Sequence, residues 1–151
     1  MNETSSTDNL MNVLKSAKPE ELPAFFEENQ AAEGSFSAYM RAMFRKKNVR
    51  QQDIFTRMNI SYGYGYKLIS GEKRTRQRDI IIEICLCAGF SLEEAQKALK
   101  AYGMAQLYPK TARDAVFIIA FNNQIYDPGE VDALLEKYGF EKLYKAASGE
   151  N

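Results

Sequence analysis

At 151 residues, with 45% apolar and 26% charged side chains, the chain has the size and chemistry of one compact domain or two very small ones. It has no histidine and no tryptophan, which excludes Ser–His and Cys–His nucleophilic sites, His-ligated zinc and an imidazole pH switch. Twenty Lys+Arg balance twenty Asp+Glu, and that zero argues against a nucleic-acid partner only if the charge is evenly spread.

Met1–Asp8 is rich in Ser, Thr and Asn and is expected to be disordered, with neither the basic start nor the apolar core of a signal peptide. Two short helical patterns follow, Asn9–Ala17 (Leu10, Val13, Leu14) and Pro23–Gln30 (Phe25, Phe26), then a small-residue linker over Ala31–Ser35. From there the apolar spacing predicts helix after helix and no period-2 strand. Ser37–Lys47 places Tyr39, Met40, Met43 and Phe44 on one face. Gln51–Met58 turns Ile54, Phe55 and Met58 inward. Asn59 tolerates the left-handed conformation of a tight turn, and Ser61 can cap a helix running to about Ile69, before Ser70-Gly71. A basic loop, Glu72–Arg78, leads into Asp79–Ala88, which is apolar nearly all round and so should be a central buried helix.

The second half repeats. Thr75–Lys110 laid over Thr111–Ala146 without a gap matches Thr75/Thr111, Glu94/Glu130, Leu99/Leu135, Tyr102/Tyr138, Gly103/Gly139, Leu107/Leu143 and Tyr108/Tyr144. Chance would give about two such identities at ordinary residue frequencies. Each unit reads as an apolar helix, a capped turn, an amphipathic helix and a glycine stop. Ser91-Leu-Glu-Glu94 and Asp127-Pro-Gly-Glu130 have the pattern of capping boxes. Two units are fewer than a free-standing solenoid needs, so they are expected to pack on the first half.

No apolar run exceeds seven residues (Ile84–Phe90, Ala115–Phe121), well short of the ~20 that span a bilayer, so no membrane partner is expected. Cys85 and Cys87, two apart on a helix, point to different sides; they read as buried apolar residues in a reduced, cytoplasmic protein, with no metal and no cofactor. No catalytic residue is assigned and the chain is not read as an enzyme. Among its acids (Glu83, Glu93, Glu94, Asp114, Glu130), Glu94 and Glu130 are accounted for as caps, and no pair shares an apolar cleft by spacing. Gly63-Tyr-Gly65 lacks the Lys-Ser/Thr of a phosphate-cradling loop.

The charge is unevenly spread. Residues 1–40 carry two Lys against seven acids, residues 41–78 carry eleven basic residues against Asp53 and Glu72, and residues 79–151 carry seven basic against eleven acidic. A strongly basic quarter between two acidic segments is either a balanced solvated face or the footprint of phosphate binding.

That quarter contains Gln51–Ser70, twenty residues of helix, tight turn and helix. The stretch resembles the Cro/repressor-type (XRE-like) helix-turn-helix family in Gln51 at the motif start, Ile54, Ile60 just after the turn, the capping Ser61, the anchor Leu68 and Gly71. Tyr64–Gly71, Arg78-Asp79, Phe90–Ala95, Leu107–Pro109 and Arg113-Asp114 further resemble bacterial proteins that fuse this motif to extra C-terminal helices. The resemblance spans roughly residues 36–145. Three positions depart from the family: Phe55 for a small residue, Asn59 for glycine and Gly65 for a β-branched residue. Phe55 could fill the space that Gly65 vacates, while Gly63 and Gly65 each cost about 1 kcal/mol of helix propensity.

The resemblance implies an all-α, lambda-repressor-like bundle extended by two helical hairpin units. Its parts would be an N-terminal tail with short helices (1–34), a DNA-binding-like domain (35–89), a C-terminal repeat region (90–147) and a tail (148–151). It implies a transcription regulator of duplex DNA, with a possible homodimer or protein partner through the C-terminal helices. Tyr62, Gly63, Tyr66 and Lys67 would face the bases. Gln51, Gln52, the Ser61 helix start, Lys73, Arg74 and Arg76 would contact phosphate. The alternative is an interaction adaptor that kept this fold and lost strong DNA binding.

Overall fold

Ile80–Cys87 offers water no polar face, so a helix through it has to be surrounded. A computed structural model of the chain describes residues 11–22 and 35–146 and divides the chain into two units, Met1–Gly34 and Ser35–Asn151. In the first unit, residues 11–16 are helical and Pro19–Glu21 forms one 3-10 turn, with Met11, Val13, Leu14 and Leu22 exposed. The expected disorder of Met1–Asp8, the helical pattern Pro23–Gln30, all of the linker before Ser35 and the tail 148–151 lie outside the described residues.

The second unit is all-helical among the described residues: α1 (Phe36–Lys47), α2 (Gln51–Met58), α3 (Tyr62–Ser70), α4 (Arg78–Cys87), α5 (Leu92–Tyr102), α6 (Ala112–Asn122) and α7 (Pro128–Lys137). Helix α4 is the axis, packing on α2, α5 and α7, while α1 lies on α3 and α5. Every residue from Ile80 to Ala88 is buried, including both free cysteines, whose thiols burial pushes up, Cys87 to about 12. These thiols are inert packing atoms.

The helix ends follow the local chemistry. Ser35, Ser61 and Ser91 each accept a bond from the amide three residues on. At Ser91 the capping box closes, because the Ser91 amide in turn donates to the Glu94 carboxylate at 2.8 Å. The second expected box is only half built: Asp127 accepts from the Glu130 amide, but the Glu130 side chain makes no return bond. Proline already fills the first helical position there and helps to start the helix.

The two repeat units clasp each other reciprocally. Arg78 of the first unit pairs with Asp114 of the second, and Arg113 of the second forks onto Asp79 of the first at 2.8 and 2.9 Å. Each aspartate also holds a tyrosine amide of the opposite unit, Tyr108 on Asp114 at 3.0 Å and Tyr144 on Asp79 at 2.8 Å. Within each unit the arginine binds two successive carbonyls, Ala105 and Gln106 for Arg78, Glu141 and Lys142 for Arg113. Gln96 and Asp132 hold the amides of Leu107 and Leu143 in the same manner. Each of these bonds thus has its converse, as an internal twofold relation gives; the Lys145–Glu83 pair and the bond from the Tyr126 hydroxyl to the Phe90 carbonyl fall outside it.

Burial works against ionised Asp79, but the Arg113 bonds and the Tyr144 amide outweigh it and hold the carboxyl below the usual carboxylate range. Its folded pKa lies below its unfolded one, so its contribution is complete above the ordinary carboxylate range and lost as pH falls through the folded value. Asp79→Asn is therefore expected to cost about 2–3 kcal/mol at neutral pH. The gap to the unsubstituted chain should narrow below about pH 4. Urea unfolding across pH checks both, and a gap independent of pH would discount the ion pair.

Candidate nucleic-acid interface

The second half of the basic quarter is built on α3, whose residues segregate at helical period. Tyr64, Gly65, Leu68 and Ile69 are buried, and Tyr62, Gly63, Tyr66 and Lys67 point to solvent. Asn59 ends α2 in the left-handed conformation (φ 58°), as its short amide side chain permits, and Ser61 caps α3 two residues later. The four residues expected to face a ligand from α3 therefore share one exposed face.

What holds α3 against α2 is an interlock of Phe55 with Gly65. A Cβ on Gly65 would stand 2.5–2.6 Å from three Phe55 ring atoms, so no side chain fits while the ring stays. Phe55 is fully buried, and its ring meets Tyr66 edge-on at 5.3 Å and Tyr62 at 6.5 Å. It supports the bodies of the two tyrosines whose outer parts remain 42% and 46% exposed. Tyr62 also shares a hydrogen bond with Thr56 at 3.2 Å, tying the start of α3 to α2. Gly63 is unlike Gly65, since nothing lies within 4 Å of a Cβ placed there.

The remaining expected contacts divide. Ser61 and Gln52 are exposed, and the buried Oε1 of Gln51 has no hydrogen-bond partner. Lys67 and Arg76 are exposed and make no ion pair among the described residues. Lys73 is exposed and its ammonium lies over the Tyr64 ring at 5.2 Å. Arg74 is turned onto the body of the protein, stacking on Tyr102 at 4.1 Å and donating to the Tyr102 carbonyl at 2.7 Å. The Thr75 amide donates to the Tyr102 hydroxyl at 2.8 Å, so this pair pins the basic loop to the end of α5.

Sequence reasoning did not single out Arg57, which donates to the Cys87 carbonyl at 2.7 Å and so caps the end of α4. Nor did it find Lys47, which binds Glu94 at 2.8 Å and draws one cation of the basic quarter inward. Both partners lie thirty or more residues away, beyond any local pattern. Among the described residues no group of three or more Cys, Asp or Glu side chains converges as metal ligands do. No helix among them is long and apolar enough to cross a membrane. No protein-family model matches the chain, and neither a curated protein nor a solved structure matches it.

The two glycines of α3 should respond oppositely. Gly63→Ala is expected to stabilise by about 0.5–1 kcal/mol, the helix-propensity gain at an open site. Gly65→Ala should destabilise by about 1–3 kcal/mol through overpacking. Combined with Phe55→Ala it should cost much less than the two single losses together. A double-mutant cycle from denaturant unfolding measures that coupling, and additivity would refute the interlock.

Proposed function

We propose that this chain is a transcription regulator that binds duplex DNA. In this reading α2 and α3 form a helix-turn-helix within a lambda-repressor-like bundle, with α3 in the major groove and α2 across the backbone. The observation that carries it is the outward face of α3, where Tyr62, Gly63, Tyr66 and Lys67 lie exposed together, continued by the cations Lys73 and Arg76. Across residues 61–78 the only acid is Glu72.

The roles follow from chemistry. Lys67 donates to guanine edges or phosphate, and Tyr62 and Tyr66 supply flat contact area with a hydroxyl at the rim. Gln51, Gln52 and the amides opening α3 at Ser61 bind phosphate, as do Lys73 and Arg76. Arg74 is a positioning residue that fixes the loop through Tyr102. Exposed Tyr108, Ile119 and Tyr138 support a surface for a homodimer or protein partner on the C-terminal helices. With no catalytic group assigned, the reading is of a cytoplasmic, XRE-like, non-enzymatic protein.

Salt titration of binding to a random duplex, followed by fluorescence anisotropy, tests this. Affinity should fall steeply with salt, and Lys67→Ala or Arg76→Ala should each lower the logarithmic slope by about 1. Arg74→Ala should chiefly lower the melting temperature. Absence of binding at low salt would overturn the proposal. A stable protein complex indifferent to the basic residues would then favour the adaptor.

A further inference from the structure

A cleft of about 370 Å³ opens between the end of α2, α3, α4 and the chain around Tyr144–Ala146. Arg57, Glu83 and Lys145 supply its charges, and Met58, Ile60 and Ile80 supply an apolar wall. Glu83 is the only charged residue between Ile80 and Phe90 and is only 2% exposed. Among the described residues its one partner is the Lys145 ammonium at 3.0 Å, from a side chain that is half exposed.

Such a carboxylate is costly to bury, and an apolar residue in its place is often neutral or better for stability. The internal repeat supplies the comparison. At the position equivalent to Glu83 the second unit has Ile119, and at the position equivalent to Lys145 the first unit has Pro109. The twofold scaffold therefore closes without this ion pair, which occurs only where the cleft lies. Arg57 spends one bond on the Cys87 carbonyl, and its fork has five donors.

A simple anion here would lie beside the buried Glu83 carboxylate. A simple amine would face two cations. We infer that the cleft binds a small zwitterion, an α-amino acid with an apolar side chain. Its ammonium pairs with Glu83, its carboxylate with Arg57 and Lys145, and its side chain with Met58, Ile60 and Ile80. This goes beyond the DNA-binding reading and does not depend on it, since binding is measured on the free protein.

Methyl NMR of the full chain without DNA tests it, with L-leucine, L-methionine and L-phenylalanine as probes. Isocaproate and isoamylamine are leucine's frame with one charge removed. At least one amino acid should shift the Met58, Ile60 and Ile80 methyl signals saturably in the millimolar range. For leucine, each one-charge analogue should bind at least about ten-fold more weakly. Arg57→Met and Glu83→Gln should each weaken binding by a similar factor. Should Glu83→Gln not fold, Lys145→Met gives the second reading. No shift from any of the three amino acids, analogues that bind as well as leucine, or shifts confined to other methyls would each overturn the inference.

Discussion

The reciprocal exchange of Arg78 with Asp114 and Arg113 with Asp79 is the constraint on which the molecule's geometry rests. An isolated surface ion pair contributes little, because water competes for both groups. These pairs differ in that each carboxylate also ends a tyrosine amide and each guanidinium also ends carbonyls. Removing one member would leave several polar groups unpaired at a half-buried seam. The clasp fixes both repeat units, and because Arg78 and Asp79 open α4, it also fixes the helix against which α2 packs. A fault in the C-terminal repeat would therefore reach the α2–α3 pair through α4.

Within that pair, Phe55 and Gly65 act as one unit. A glycine in a helix interior is ordinarily a loss of conformational entropy with nothing in return. At Gly65 the missing Cβ admits an aromatic ring that then supports Tyr62 and Tyr66. The close approach of α2 and α3 and the presentation of two tyrosines to solvent thus have one cause. Gly63 has no such account in packing, and its open surroundings leave it as a low-propensity residue on the exposed face.

Much of the helical order was legible because its causes are local. Serine caps, the left-handed Asn59, the glycine stop at Gly103 and the apolar run of α4 each act within a few residues. The pairing of Phe55 with Gly65, ten residues apart, was legible through the family resemblance instead, as two departures whose sizes compensate. The clasp was hidden for a geometric reason. Gapless alignment of the repeats sets Arg78 opposite Asp114, which reads as a mismatch although the two are bonded partners. The roles of Arg74 and Lys47 were hidden because a basic stretch looks alike whichever of its cations turn inward. Only the positions of Tyr102 and Glu94, brought in by α5, decide that.

That inward turning changes what the basic quarter can do. Its formal excess is large, yet Lys46 and Lys47 lie on Glu94, Arg50 on Asp53, Arg78 on Asp114, and Arg57 and Arg74 on carbonyls. Arg41, Arg45, Lys67 and Arg76 are the exposed cations of the block that keep no such partner among the described residues, with Lys73 resting on a ring. In the DNA-binding reading, counterion release scales with the phosphates neutralised, so it follows this smaller set and not the formal charge. Arg41 and Arg45 lie on α1, so α3 and its loop bring only three such cations to a duplex. Electrostatics alone would then make a weak binder. The tyrosines on the face of α3, held by the Phe55 ring, must supply the contact area that the cations do not.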